Sequence, residues 1–407
     1  MSVPTRDSWT GTVLLLLASS TGGVGQHVLS LTRGLVAGGA TVVVGGPLAT
    51  EQQFRFTAAG ATFVPVEIPA NPTLADASAV RAVRRALLDG ADVVHAHGLR
   101  AGLVALLSRP AAPVVVTLHN SVISAGLRGG LSRLVERRVV RSARVVLGAS
   151  PDLVTRATAL GASDARLGAV AAPELPPPAR SRAAVRAEFG IGANQPLVLS
   201  VGRLHPQKRY DLLVDAAARW RDLTPPAQVA IAGTGPSYLS LAAQISAARA
   251  PVTLLGHRND VADLLLGADL AVVSSDWEAR QLFAQEALRA GVPLVATAVG
   301  GLPELVGDAA LLVPPGDLDA LDAAVRELLA DHQRRADLAA SGPLQARSWP
   351  TDSDTVAAVG AIYREVTVGL QRSAAGSGTR AGPARPGGPT TSGVSADNDD
   401  GSADGRD

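Results

Sequence analysis

The chain has 407 residues, 47% of them hydrophobic but only 3% aromatic, so its cores are built from Val, Leu and Ala. Thirty-seven Lys and Arg balance 36 Asp and Glu, for a net charge of +1, which leaves no global field to recruit nucleic acid. There is no cysteine, which excludes disulfides, thiolate nucleophiles and cysteine-based metal sites.

The first apolar run, Val13 to Ala18, is too short for a secretory leader or a membrane span. The expectation is a soluble cytoplasmic protein. Strand-like runs then recur at Thr41 to Gly45, Thr62 to Val66, Asp92 to His97, Val114 to His119 and Arg144 to Ala149. Helical stretches lie between them at Gln26 to Ala37, Ala77 to Leu88 and Leu131 to Ser142. A Pro-rich segment, Pro173 to Pro178, separates a second series: Leu197 to Val201, Val229 to Ala232, Val252 to Leu255, Leu270 to Val273, Leu294 to Ala296 and Leu311 to Val313. Continuous apolar strands alternating with helices predict parallel sheets covered on both faces. The fold class is therefore α/β, with two doubly wound Rossmann-like domains over 1–175 and 176–350. A helix follows Trp349-Pro350, over Asp354 to Val368 within 351–371. Residues 372–407 hold almost no large apolar side chain and are expected to be disordered.

The residues that carry chemistry cluster after strands. Ser19-Ser20-Thr21-Gly22-Gly23-Val24-Gly25 joins the first strand to the first helix; such a turn brings backbone N–H groups to an anion at a helix N-terminus, or serves close packing alone. It lacks the full dinucleotide fingerprint, and no acidic ribose-binding residue follows at the expected spacing, which argues against a dehydrogenase. Gly202-Arg203-Leu204-His205-Pro206-Gln207-Lys208 follows the first strand of the second series. Arg203 and Lys208 there suit a diphosphate, although a solvated charge cluster reads the same way. His95 and His97 share a strand face and offer two ligands to a metal, with no third in view; local hydrogen bonding is the plainer reading. His119, at the next strand's end, is the better functional candidate.

Glu278 falls on the loop after Leu270 to Val273, and Glu286 two turns into the following helix. Eight residues of rise put them about 12 Å apart, too far for the carboxylate pair of a glycosidase, roughly 5–9.5 Å. The spacing suits gripping two ends of one hydroxyl-rich ligand. Glu286 lies between Leu282-Phe283 and Ala287-Leu288, and a carboxylate on so apolar a segment needs partners, such as ribose hydroxyls. A solvated helix face is the alternative.

Taken together, Glu278 and Glu286 at E-x7-E spacing, Gly202-Arg203 with Lys208, Gly22-Gly23, and the segments Ala290 to Thr297 and Gly300-Gly301-Leu302-Pro303-Glu304 resemble the family 4 glycosyltransferases over roughly Val13 to Val368. That resemblance implies a GT-B fold: two Rossmann-like domains facing across a cleft, with the C-terminal helix crossing back onto the first. It implies a retaining, hexosyl-type transferase of bacterial cell-envelope or glycan synthesis that uses a UDP- or GDP-linked sugar. The acceptor would be a hydroxyl on a glycan or lipid-linked glycan. Arg203 and Lys208 would stabilise the departing diphosphate, Glu286 would hold the ribose, and Glu278 would contact the transferred sugar. His119 would lie beside the reacting carbon, and Gly22, Gly23 and Gly202 would let backbone approach the donor. Ala279, Arg280, Gln281 and Leu282 line the donor in the same pattern; Ala279-Arg280-Gln281 stands where many members carry Gly-Phe-Gly. Ala171-Ala172-Pro173-Glu174 likewise replaces the usual Pro-Asn-Gly. No metal or other cofactor is implied, because the two cations do the work of a divalent ion. Arg133, Arg137, Arg138 and Arg141 on one helix suit peripheral contact with anionic lipid if the acceptor is a lipid, or are a solvated face. The alternatives are a GT-B sugar-nucleotide enzyme that does not glycosylate, and a silent scaffold that binds a nucleotide sugar.

Overall fold

Seven runs rich in Val, Leu and Ala assemble into one sheet. They are β1 (Thr12–Leu17), β2 (Thr41–Gly46), β3 (Thr62–Pro65), β4 (Val93–His97), β5 (Val114–Leu118), β6 (Val145–Gly148) and β7 (Ala165–Leu167). Six more form a second: β8 (Leu197–Val201), β9 (Gln228–Ala232), β10 (Val252–Gly256), β11 (Leu270–Val273), β12 (Leu294–Thr297) and β13 (Leu311–Val313). The computed structural model describes residues 8–20, 22–69, 76–120, 126–168, 170–171 and 175–377. Thr21, Ala172, Pro173, Glu174 and the greater part of the tail from 372 onward lie outside the described residues.

The strand orders are β3-β2-β1-β4-β5-β6-β7 and β10-β9-β8-β11-β12-β13. All neighbours pair in parallel, Leu15 opposite both Val44 and His95, and Ala271 opposite both Leu294 and Leu199. Strand order therefore reverses between β1 and β4 and between β8 and β11. Loops leaving these strands part to opposite faces at their carboxyl ends and open a crevice there. The Gly22-Gly23 turn leaves β1, His97 ends β4, Arg203 to Lys208 leaves β8, and Glu278 leaves β11, so the topology alone gathers the chemistry at two switch points.

Both faces of each sheet are buried. In the first, Leu14, Leu16, Val94, Ala96 and Val116 face one core, and Val13, Leu15, Leu17, Val93 and Val115 the other. The second divides the same way, Leu199 and Val273 on one side and Val198 and Val272 on the other. Burying a Val or Leu contributes roughly 1.5–3 kcal/mol over leaving it exposed, which compensates for the scarcity of aromatic side chains. The short β7 has no fully buried residue, so it carries no apolar run in the sequence.

The C-terminal helix spans Asp352–Ser377, longer at both ends than the apolar pattern predicts. Val359, Tyr363 and Val366 enter the core beneath β1 and β4, and Arg166 holds Glu365 in a two-pronged ion pair at 2.7 and 2.8 Å. Both sheets and this helix up to Thr367 form one compact unit. Residues from Val368 belong to a second unit, of which the helical stretch to Ser377 is described. Among the described residues no helix is long and apolar enough to cross a membrane.

Candidate active site

The loop after β8 folds into a 3-10 turn, Pro206–Lys208, capped by the His205 ring, which accepts the Gln207 N–H at 3.3 Å. Arg209 takes a left-handed backbone (φ 50°) to start the next helix, Tyr210–Arg219. This hairpin bend points Lys208 at the loop after β11. Its ammonium donates to Glu278 Oε1 at 2.5 Å, and the Ser275 hydroxyl donates to the same oxygen at 2.5 Å. Glu278 is buried, and a buried carboxylate requires such partners. The backbones are tied as well: Ser274 Oγ donates to the Lys208 carbonyl, the Gln207 amide to the Trp277 carbonyl, and Asp276 N–H to the Gln207 carbonyl. Lys208 and Glu278 are thus members of one preorganised block. Arg203 is exposed on the same loop. The pKa of His205 is lowered, first by burial and then by the positive charges of Arg203 and Lys208, so the field of both cations converges here.

A second constraint on Glu278 comes from Gly300, whose φ is +52°. A Cβ there would lie 1.9 Å from the Glu278 carbonyl oxygen, and the neighbouring Gly301 N–H donates to that oxygen at 2.9 Å. Gly300→Ala is expected to displace the Glu278 loop and lower kcat by about 10²-fold, the cost of roughly an ångström of misplacement; steady-state kinetics beside a melting curve check it, and an active, wild-type-like variant would show that the loop tolerates the shift. The Gly300-Gly301 pair is visible in the sequence, but its steric duty toward Glu278 is not.

The residues after Glu278 turn in different directions. Trp277 and Ala279 pack into the core of the first sheet, and the Trp277 indole donates to Asp152 at 2.8 Å. Asp152 and Trp277 are functional candidates that sequence reasoning missed, since nothing local links two residues so distant in the chain. Arg280 donates to the Val170 carbonyl at 3.0 Å and lies 6.0 Å over the Trp349 ring. Burial lowers its pKa. These contacts are with the segment that follows β7 and with Trp349, just ahead of the C-terminal helix. The Gln281 amide oxygen accepts Ala284 N–H at 2.5 Å and caps the helix Leu282–Arg289. Leu282 approaches Gly23, where a Cβ would meet it at 3.4 Å, so the β1 turn and this helix start face each other. Gly22 opens the helix Gly23–Ala37, and the Ser20 hydroxyl accepts the Gly25 N–H at 3.0 Å in its first turn. Glu286 is half-buried in that second helix; burial pushes its carboxyl up to about 7, against a smaller downward pull from Arg289.

Four histidines converge at the carboxyl edge of the first sheet. His95 does not share a ligand with His97: its Nδ1 meets the Tyr363 hydroxyl at 2.6 Å and its Nε2 the Thr117 hydroxyl at 2.7 Å. His97 Nδ1 instead lies 3.2 Å from His119 Nε2, and His27, from the helix Gly23–Ala37, packs edge-on against both rings. Burial lowers the pKa of all four, His27 to about 4 and His95 to about 3. On the helix Gly126–Ser142, Arg133, Arg137, Arg138 and Arg141 are exposed, while Glu136 is buried against Arg156 at 2.6 and 2.7 Å.

The family models agree with this division. Residues 22–173 match the glycosyl transferase 4-like domain, and residues 181–345 match glycosyl transferases group 1. The chain is 33% identical over 297 residues to the D-inositol 3-phosphate glycosyltransferases of Mycobacterium tuberculosis and Mycobacterium bovis, covering 66% of this chain. It spans 61% of the length of those relatives. The fold resembles that of sucrose-phosphate synthase from Thermosynechococcus elongatus, with a TM-score of 0.73 at 22% identity over 88% of this chain and 100% of that one. It also resembles Anabaena Alr3699/HepE, solved in complex with UDP-glucose, with a TM-score of 0.71 at 22% identity over 89% of this chain and 100% of that one. With these two domains in this order on this pair of sheets, the chain belongs to the family 4 glycosyltransferases of the GT-B fold.

Proposed function

We propose that the chain is a retaining glycosyltransferase that moves a sugar from a nucleotide-diphosphate donor, UDP- or GDP-linked, to a hydroxyl acceptor. The observation that carries this reading is the Lys208–Glu278 contact at 2.5 Å, beside Arg203 and at the carboxyl ends of β8 and β11. Breaking a glycosyl–phosphate bond builds negative charge on the leaving diphosphate and positive charge on the sugar. Arg203 and Lys208 stabilise the first, and a fixed cation is worth most where little has to reorganise. Glu278 spends Oε1 on Lys208 and Ser275; its other oxygen is left to accept from a sugar hydroxyl. Glu286, on the helix behind, accepts from the ribose. The N–H groups at Gly22-Gly23 and the backbone from Gly202 and from Ala279 to Leu282 approach the phosphates. His119 meets the sugar from the opposite domain. Attack from the face the diphosphate leaves, with a diphosphate oxygen taking the acceptor proton, keeps the anomeric configuration.

In this reading 1–175 is the acceptor side and 176–350 the donor side. The acceptor is a glycan, a lipid-linked glycan or, by analogy with the mycobacterial relatives, a phosphorylated polyol. A lipid acceptor would bring the exposed Arg133, Arg137, Arg138 and Arg141 to an anionic membrane surface. The test is a proton NMR time course with UDP- and GDP-sugars and acceptors of these three classes. A product with the donor's anomeric configuration supports the reading; an inverted product overturns retention, and bound donor without turnover makes the chain a scaffold.

A further inference from the structure

His27, His97 and His119 each bring one ring nitrogen to within 4.8 Å of the other two, and all three side chains are buried. The hydrogen bond they make among the described residues is to one another, His97 Nδ1 to His119 Nε2 at 3.2 Å. The His97 nitrogen that faces the cluster is Nδ1; its Nε2, across the ring, is buried with no partner among the described residues. His95 is tied at both nitrogens, to Tyr363 and Thr117, which fixes the end of β4 and with it His97. The cluster is therefore held from the strand side, and its three remaining rings share a small common space.

We propose that His27, His97 and His119 bind one divalent transition-metal ion of the zinc class. An all-imidazole set favours Zn²⁺, Cu²⁺ or Ni²⁺ over the oxygen-seeking Mg²⁺ and Ca²⁺. Zinc–nitrogen bonds of about 2.0–2.1 Å put tetrahedral ligand nitrogens about 3.4 Å apart. The His97–His119 pair already stands at 3.2 Å, and the wider separations, within 4.8 Å, close by at most about 1.4 Å to reach the tetrahedral spacing. Three protein ligands leave the fourth position for water or an anion. The sequence alone does not show this set, because His27 lies on a helix 70 residues from His97. The ion is not required for the transfer proposed above. Where His119 contacts the sugar, as that reading holds, a bound ion competes for the same imidazole and inhibits.

The test is a Co²⁺ titration of the tag-free full chain, followed by visible absorption. The expected result is a tetrahedral cobalt spectrum that saturates at one ion per chain and is displaced by Zn²⁺. His27→Gln and His97→Gln, each checked for fold by circular dichroism and melting temperature, should each weaken binding by about 10–100-fold or more. His332→Gln, an exposed histidine, should leave it unchanged. No tetrahedral spectrum, or one that survives the His27 and His97 substitutions in folded protein, overturns the site. Zn²⁺ binding without loss of turnover keeps the site and overturns the role of His119 in the transfer.

Discussion

Lys208→Ala is expected to lower kcat/KM by about 10²–10³-fold, or roughly 2.7–4 kcal/mol of transition-state stabilisation, the range found when one preorganised donor is removed from a site of developing charge. The loss has two sources. One is the cation itself, which no longer meets the leaving diphosphate. The other is Glu278, which is left buried with Ser275 as its remaining partner. Because the two residues act through one contact, Lys208→Ala combined with Glu278→Gln should cost less than the sum of the single changes. Arg203→Ala should be comparable in size but more sensitive to ionic strength, since Arg203 is exposed and Lys208 is not. Steady-state kinetics on the four variants at two salt concentrations measure this. Full activity in both Lys208→Ala and Arg203→Ala would remove these cations from the reaction.

Glu286→Gln is expected to make the unliganded protein more stable at pH 8 but not at pH 4.5, and to weaken donor binding. Burial pushes the folded-state pKa up to about 7, whereas the unfolded chain returns the side chain to about 4.3. Between these values the native state keeps a proton that the unfolded state has lost. The wild-type contribution is therefore full below about 4.3, falls as pH rises toward 7 and is level above it. Glutamine cannot ionise, so its advantage grows over the same window to on the order of 3–4 kcal/mol. In wild type, ribose hydroxyls would donate to the ionised carboxylate. Donor affinity should then rise with pH through 7, and should be flat in Glu286→Gln. Melting curves and donor titrations from pH 4.5 to 8 read both effects; parallel pH profiles for the two proteins would show that Glu286 is solvated and uninvolved.

Much of this was legible in the sequence because parallel sheets write themselves as unbroken apolar runs. Val93 to Ala96 and Leu270 to Val273 are buried throughout, so the pattern needed no partner to be seen. β7 was not legible, as a three-residue edge strand with no buried side chain. The strand-end positions of Arg203, Lys208, Glu278 and His119 followed from the same runs. What did not follow was direction and partnership. Arg280 stands two residues after Glu278 but contacts Val170 and Trp349, partners distant in the sequence. The pairing of Trp277 with Asp152, the steric hold of Gly300 on Glu278, and the approach of His27 to His97 and His119 are tertiary contacts between residues no periodicity relates. The C-terminal helix continues to Ser377, past the apolar pattern that marked its end at Val368.

The most direct test of the account is calorimetric titration of the full chain with UDP-, GDP- and ADP-sugars, repeated on Glu286→Ala and Lys208→Ala. Saturable one-to-one binding of a UDP- or GDP-sugar is expected, weakened in both variants while their folds are retained. Binding of no nucleotide sugar, or binding unchanged by either substitution, would contradict the assignment of the β8–β11 edge as the donor site.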